Sequence, residues 1–236
     1  MNVIIAESYD ELSKIAANII AGQIKEKPDS VLGLATGSSP VGIYKELIAK
    51  YNAGELDFSK VQSVNLDEYV GLAPEHEQSY RYFMNVNLFD HVNIDKSNTR
   101  VPDGLAADTD AFCKAYDEYI DSIGGIDLQV LGIGPDGHIG FNEPDDHFTA
   151  GTHVAVLEES TVDANARFFE SRNDVPKTAI TMGMKGIMTA KKIVLVANGA
   201  NKKDVLFKAI NGDVTPRIPA SLLQLHRDVT IIFSEK

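Results

Sequence analysis

The run Leu131-Gly132-Ile133-Gly134-Pro135-Asp136-Gly137-His138-Ile139-Gly140-Phe141-Asn142-Glu143-Pro144 gathers four glycines, one histidine and two carboxylates in fourteen residues. A purely structural loop has little use for so much backbone freedom beside so many titratable groups. A loop that bends tightly around a ligand while aiming an acid and a base at it needs both. Asp136 and Glu143 flank His138, where they can orient the imidazole and raise its proton affinity, which suits an acid/base shuttle near neutral pH. A metal ion is the rival occupant, with Asp145, Asp146 and His147 close by. The spacing matches no helix-borne zinc motif and Pro144 prevents regular projection of ligands, so no metal is expected.

Within the same run, Gly132-x-Gly134-x-x-Gly137 follows an apolar stretch and matches the dinucleotide-binding fingerprint, and Glu158 stands where a ribose-binding acid would. That reading needs a helix to start at the third glycine. Pro144 ends any such helix within two turns, Gly140 weakens it, and Asp136 would point negative charge at the pyrophosphate. The glycines serve a different ligand, and no cofactor is expected.

Two further stretches carry chemistry. Thr36-Gly37-Ser38-Ser39-Pro40 reads as an anion cradle. Gly37 lets the backbone approach, Ser38 and Ser39 offer hydroxyls, and a helix begun at Pro40 and capped by Ser39 offers free N–H groups. No Lys-[Ser/Thr] pair closes it, so it is not a P-loop; a single phosphate monoester is the natural guest, with Lys202 as counter-charge. The competing reading is a plain capped turn. Asp67 ends the apolar run 61–66, where poor hydration drives a carboxyl pKa upward and makes a general base; the alternative is that Asp67 or Glu68 merely caps the next segment.

These residues need strands to carry them. Short apolar runs predict strands at 3–6, 31–35, 61–66, 126–131, 154–157 and 192–197, with 229–233 closing the sheet. Helical spacing is read over 8–20, 40–51, 79–88, 110–123, 160–169, 178–190 and 202–210. Strands alternating with helices imply a doubly wound, mostly parallel α/β sheet with helices on both faces, whose ligands bind at the carboxyl ends of the strands. The unusual residues sit at four such ends. Neither repeats nor a linker divide the 236 residues, so one α/β catalytic domain spanning 1–236 is expected.

A formal net charge of -12, with no Lys/Arg cluster, argues against nucleic acid. The single cysteine, Cys113, excludes an internal disulfide and fits a reducing cytoplasm; no stretch has the length of a membrane span or the pattern of a signal peptide.

The ordered motifs Leu34-Ala35-Thr36-Gly37-Ser38-Ser39-Pro40, Asn65-Leu66-Asp67-Glu68-Tyr69, the 132–144 loop, Asn165-Ala166-Arg167-Phe168-Phe169, Thr181-Met182-Gly183 and Leu223-Gln224-Leu225-His226 resemble the glucosamine-6-phosphate deaminase family over nearly the whole chain. The resemblance implies a Rossmann-like sheet and the cofactor-free conversion of glucosamine 6-phosphate and water to fructose 6-phosphate and ammonia. It implies that Asp67 moves a proton between C2 and C1, and that His138, with Asp136 and Glu143, opens the sugar ring. It places Thr36, Gly37, Ser38, Ser39, Arg167 and Lys202 around the substrate and its phosphate; Arg167 comes from the resemblance alone.

Some family members are hexamers activated by N-acetylglucosamine 6-phosphate through cationic residues that are His153 and Ala155 here and through a longer tail than one ending at Lys236. A monomer or small homo-oligomer without that activation is therefore expected, with a lid near 150–176 bearing Arg167. The alternatives are a 6-phosphogluconolactonase-like hydrolase, whose family usually lacks an acid at the position of Glu143, and a non-enzymatic sugar-phosphate-sensing module.

Overall fold

The structure, a computed structural model, describes residues 1–236 apart from the side chains of Ser160, Ala164 and Phe168, so Phe168 of the Asn165–Phe169 motif lies outside the described side chains. In chain order the elements are β1 (Asn2–Ala6), α1 (Tyr9–Glu26), β2 (Val31–Leu34), α2 (Val41–Asn52), β3 (Gln62–Asn65), β4 (Asp67–Tyr69), α3 (Tyr80–Asn87), β5 (Thr99–Arg100) and α4 (Thr109–Ser122). Next come β6 (Leu128–Leu131), β7 (His153–Val156), α5 (Glu159–Asn165), β8 (Thr178–Thr181), α6 (Met184–Met188), β9 (Lys192–Asn198), α7 (Lys203–Asn211) and β10 (Val229–Ser234).

Seven strands form one parallel sheet in the order β1-β10-β9-β6-β2-β3-β5. Its central strands β2, β6, β9 and β10 are buried on both faces, as β-branched and leucine-rich runs require, while the edge strand β1 leaves Val3 and Ile5 exposed. Along β2, Val31 enters one core while Leu32 and Leu34 enter the other. Tyr116 and Ile120 of α4, Ile187 of α6 and Leu206 of α7 cover the first face; Ile20 of α1, Ile43 of α2 and Met84 of α3 cover the second. This is the expected doubly wound, Rossmann-like arrangement. The chain runs from β2 outward to β3 and from β6 the other way to β9, so the two connections part between β2 and β6. A crevice opens there, beyond the strands' carboxyl ends.

Three expectations change. Residues 178–190 are a strand followed by the short α6, because Ala179, Ile180 and Thr181 are buried between two partners rather than along a helix face. The segment 229–233 does not close the sheet: β10 lies between β9 and β1, and β1 is the edge. Ser39 makes no cap; Pro40 itself takes that position, in helical backbone and without a side-chain hydrogen bond.

The recast 178–181 segment belongs to a second, antiparallel sheet, β4-β8-β7, which periodicity did not reveal. Tyr69, Phe141, Ala155, Leu157, Val162, Val175 and Ala179 form its small core. The two sheets meet at Leu66. Its N–H donates to Leu34 O in the large sheet at 3.1 Å, and its carbonyl accepts from Met182 N–H, just past β8, at 2.7 Å. The apolar run 61–66 therefore does not end at Asp67 but changes sheets there.

Candidate active site

The crevice between β2 and β6 is a cavity of about 230 Å³. Thr36, Gly37, Ser38, Ser39, Asp67, His138, Arg167 and Lys202 all line it, so residues from four strand ends and one later segment meet in one space. Asp136 and Glu143 are not on its wall. Both carboxylates contact Nδ1 of His138, and Asp136 also acts on Lys202 through its charge.

The cradle after β2 is held from outside. The Tyr9 hydroxyl lies 2.9 Å from Ser38 O and 3.1 Å from Ser39 O and accepts from Gly42 N–H at 2.8 Å, so α1 fixes the turn. Gly37 sits at φ 88°, a left-handed conformation that a side chain would strain. Lys202 closes a 3-10 turn, Ala200–Lys202, and caps α7; burial lowers its pKa while Asp136 opposes that. Arg167 is exposed, within the 3-10 turn Ala166–Phe168 that follows α5.

Asp67 is the first residue of β4, paired with Thr181. It is 6% exposed. Burial, reinforced by the Glu68 carboxylate beside it and opposed by His138, pushes its pKa up to about 8. Glu68 has the other role considered for this pair. Its Oε1 accepts from Tyr69 N–H and Tyr80 N–H, and its Oε2 from Arg81 N–H, each at 2.9 Å, so it caps the start of α3 while Asp67 is left facing the cavity.

His138 Nδ1 lies 2.8 Å from Asp136 Oδ1 and 3.1 Å from Glu143 Oε2. One N–H cannot point squarely at both, and neither contact is a well-aligned hydrogen bond; the proton is shared. Burial disfavours the imidazolium, yet the two carboxylates outweigh it and raise the ring to about 9. Burial likewise works to raise Asp136, but His138 holds it down to about 2. The ring rests on Gly134, where a β-carbon would fall within 2.3–2.5 Å of three ring atoms. Only glycine allows that approach.

These three residues are also the group whose ligand-type atoms lie within 4.8 Å of one another.

The small sheet fixes the loop that carries the ring. Thr181 Oγ1 accepts from Phe141 N–H at 3.0 Å, and Asn142 Nδ2 donates to Met182 O at 2.9 Å. A β-carbon on Gly140 would lie 3.7 Å from Asp67 Oδ2, so the carboxylate stands over this turn.

Tyr80 and Thr161 also line the cavity and were not singled out from sequence, and so does Asn165, which entered only as part of the 165–169 motif with no role of its own. Tyr80 stacks on Phe141 at 6.1 Å and 11°. Its one sequence signal is a place in the first turn of a helix that comes after the Asp-Glu-Tyr motif. His226, the last residue of the 223–226 motif, is structural: buried, with Nε2 2.8 Å from Ala190 O.

The model of the family described as glucosamine-6-phosphate isomerases/6-phosphogluconolactonase matches residues 6–232. A glucosamine-6-phosphate deaminase of Lachnoclostridium phytofermentans is 63% identical over 232 residues, covering 98% of each chain. One from Clostridium perfringens is 59% identical over 235 residues, covering 100% of this chain and 97% of its own. A solved structure of a monomeric glucosamine-6-phosphate deaminase superposes with a TM-score of 0.97 at 46% identity, covering 99% of this chain and 97% of the other. A 6-phosphogluconolactonase from Thermotoga maritima shares the fold alone, with a TM-score of 0.75 at 18% identity and coverage of 100% and 99%.

Proposed function

The chain belongs to the glucosamine-6-phosphate isomerase/6-phosphogluconolactonase family, and within it we propose that it works as a glucosamine-6-phosphate deaminase. It converts glucosamine 6-phosphate and water to fructose 6-phosphate and ammonia. One observation carries the assignment of roles: Asp67 and His138 line the same cavity as the Ser38–Ser39 turn and Lys202.

The phosphate binds at Gly37, Ser38 and Ser39 with Thr36, Lys202 and Arg167 around it, and so anchors the sugar. The His138 imidazolium gives a proton to the ring oxygen and takes one back from the anomeric hydroxyl, leaving an open-chain aldehyde. The aldehyde acidifies the C2 proton. Asp67 removes it while the His138 imidazolium gives a proton to O1, forming an enolamine; Asp67 then returns its proton at C1, leaving a C2 iminium. Water adds to the iminium carbon, the C–N bond breaks and ammonia leaves. Asp136 and Glu143 hold the ring and balance its charge. A carboxylate and an imidazole suffice for each proton, so no cofactor and no metal enters.

Among the described residues no helix is long and apolar enough to cross a membrane, and the single cysteine is buried and unpaired, which supports a reducing cytoplasm. The chain acts as a monomer or small homo-oligomer, and nucleic acid is not a partner.

The test is ammonia release from glucosamine 6-phosphate in the presence of a chelator, with N-acetylglucosamine 6-phosphate added in a parallel series. The expected result is hyperbolic turnover that neither addition changes. Acid release from 6-phosphogluconolactone with no ammonia from the amino sugar would overturn the reading.

A further inference from the structure

Glu143 reaches in two directions. Its Oε2 is the one that shares His138 Nδ1, while its Oε1 accepts from Thr161 Oγ1 at 2.8 Å. Thr161 is buried in the first turn of α5, and it lines the cavity together with Asn165 at the end of the same helix and Arg167 just beyond. The Glu143 side chain is itself only 9% exposed. A carboxylate oxygen in such a place needs a donor, and water is largely excluded from supplying one. Without the Thr161 hydroxyl, the carboxylate would turn about its own axis to find another partner. Each such turn alters how Glu143 and Asp136 divide the single Nδ1 proton, and with it the tilt of a ring seated on Gly134.

We propose that Thr161 is a positioning residue that holds Glu143 in register with His138, and so ties the placement of α5 beside a bound sugar phosphate to the orientation of the imidazole. This deepens the deaminase reading and rests on it. A substrate that engages Asn165 or Arg167 settles α5, and the settled helix fixes the acid/base group. Binding and ring opening are thereby linked through one hydroxyl.

The test compares Thr161→Val, which keeps the shape and removes the donor, with Thr161→Ser, which keeps the donor and removes a methyl. A hydrogen bond to a charged group of this kind corresponds to roughly 10- to 100-fold in rate when it is lost. Thr161→Val therefore lowers kcat by that factor and leaves KM within about twofold, and Thr161→Ser restores most of kcat. In a Glu143→Gln background, Thr161→Val has little further effect, because the two changes break one chain of contacts. Three results would overturn the proposal: a raised KM at unchanged kcat, which makes Thr161 a sugar contact; failure of serine to rescue; or full additivity with Glu143→Gln. A wild-type chain that releases no ammonia defeats the deaminase reading only. In that event the His138 Nδ1–H resonance, followed by NMR in the free protein, still decides the coupling. It shifts in Thr161→Val and returns in Thr161→Ser if Thr161 acts through Glu143, and it stays put if not.

Discussion

The two sheets of this molecule divide its labour. The central strands of the seven-stranded parallel sheet are buried on both faces and offer their strand ends to the crevice. The three-stranded antiparallel sheet has a small core, yet it carries Asp67 in its first residue and pins the His138 loop through Thr181. Bulk burial and reactive placement thus reside in different elements. Stability and turnover should respond separately when each is cut.

The largest effect is expected at the base. Asp67→Asn should lower kcat by roughly 10²–10⁴-fold, the range for a positioned proton transfer, while equilibrium binding of the sugar phosphate survives. The same substitution should stabilise the fold. The Asp67 pKa is raised to about 8 in the folded chain, so the folded state keeps its proton up to there while the unfolded state releases it near the ordinary carboxylate value of 3.8. The contribution is present at low pH and lost as pH rises through 8. Thermal melts should therefore show Asp67→Asn gaining on the wild type steadily between about pH 4 and pH 8; parallel melting curves would mean that the carboxyl is not held neutral.

Next come paired truncations. Leu128→Ala opens the core of the large sheet, where the side chain is fully buried, and should cost about 2–5 kcal/mol in urea unfolding with KM unchanged. Leu157→Ala, in the small core, should cost less in global stability and show a raised KM, since it loosens the segment leading to α5. Equal losses of stability with no change in KM would erase the distinction drawn between the sheets.

The smallest effect is in the pH profile. Asp67 must be ionised to act as base and His138 protonated to act as acid. The free-enzyme kcat/KM should then rise through about pH 8 and fall through about pH 9, and the falling limb should move down in Asp136→Asn.

How much could be read in the sequence depends on how local each signal is. The 131–144 loop stood out because its composition is unusual over fourteen consecutive residues, and the strand ends at 36–39 and 67 because polar groups interrupt apolar runs. The antiparallel sheet was hidden. Its central pairing joins Asp67 to Thr181, more than a hundred residues apart, and the strand 178–181 reads as helical when only neighbours in sequence are weighed. That Asp136 and Glu143 contact the ring without lining the cavity wall depends on how the loop folds back on itself. Tyr80, Thr161 and Asn165 are ordinary residues in ordinary helix turns, and only tertiary packing brings them to the cavity.

Leu66 bears on transplantation. One of its peptide groups belongs to each sheet, so the neighbouring carboxylate takes its location from the first and its aim from the second. A designer who grafts this chemistry onto another parallel scaffold by copying the cradle and the glycine-rich loop alone would import the imidazole without a properly aimed proton acceptor. The antiparallel trio of strands is the part of the kit that has to travel with them.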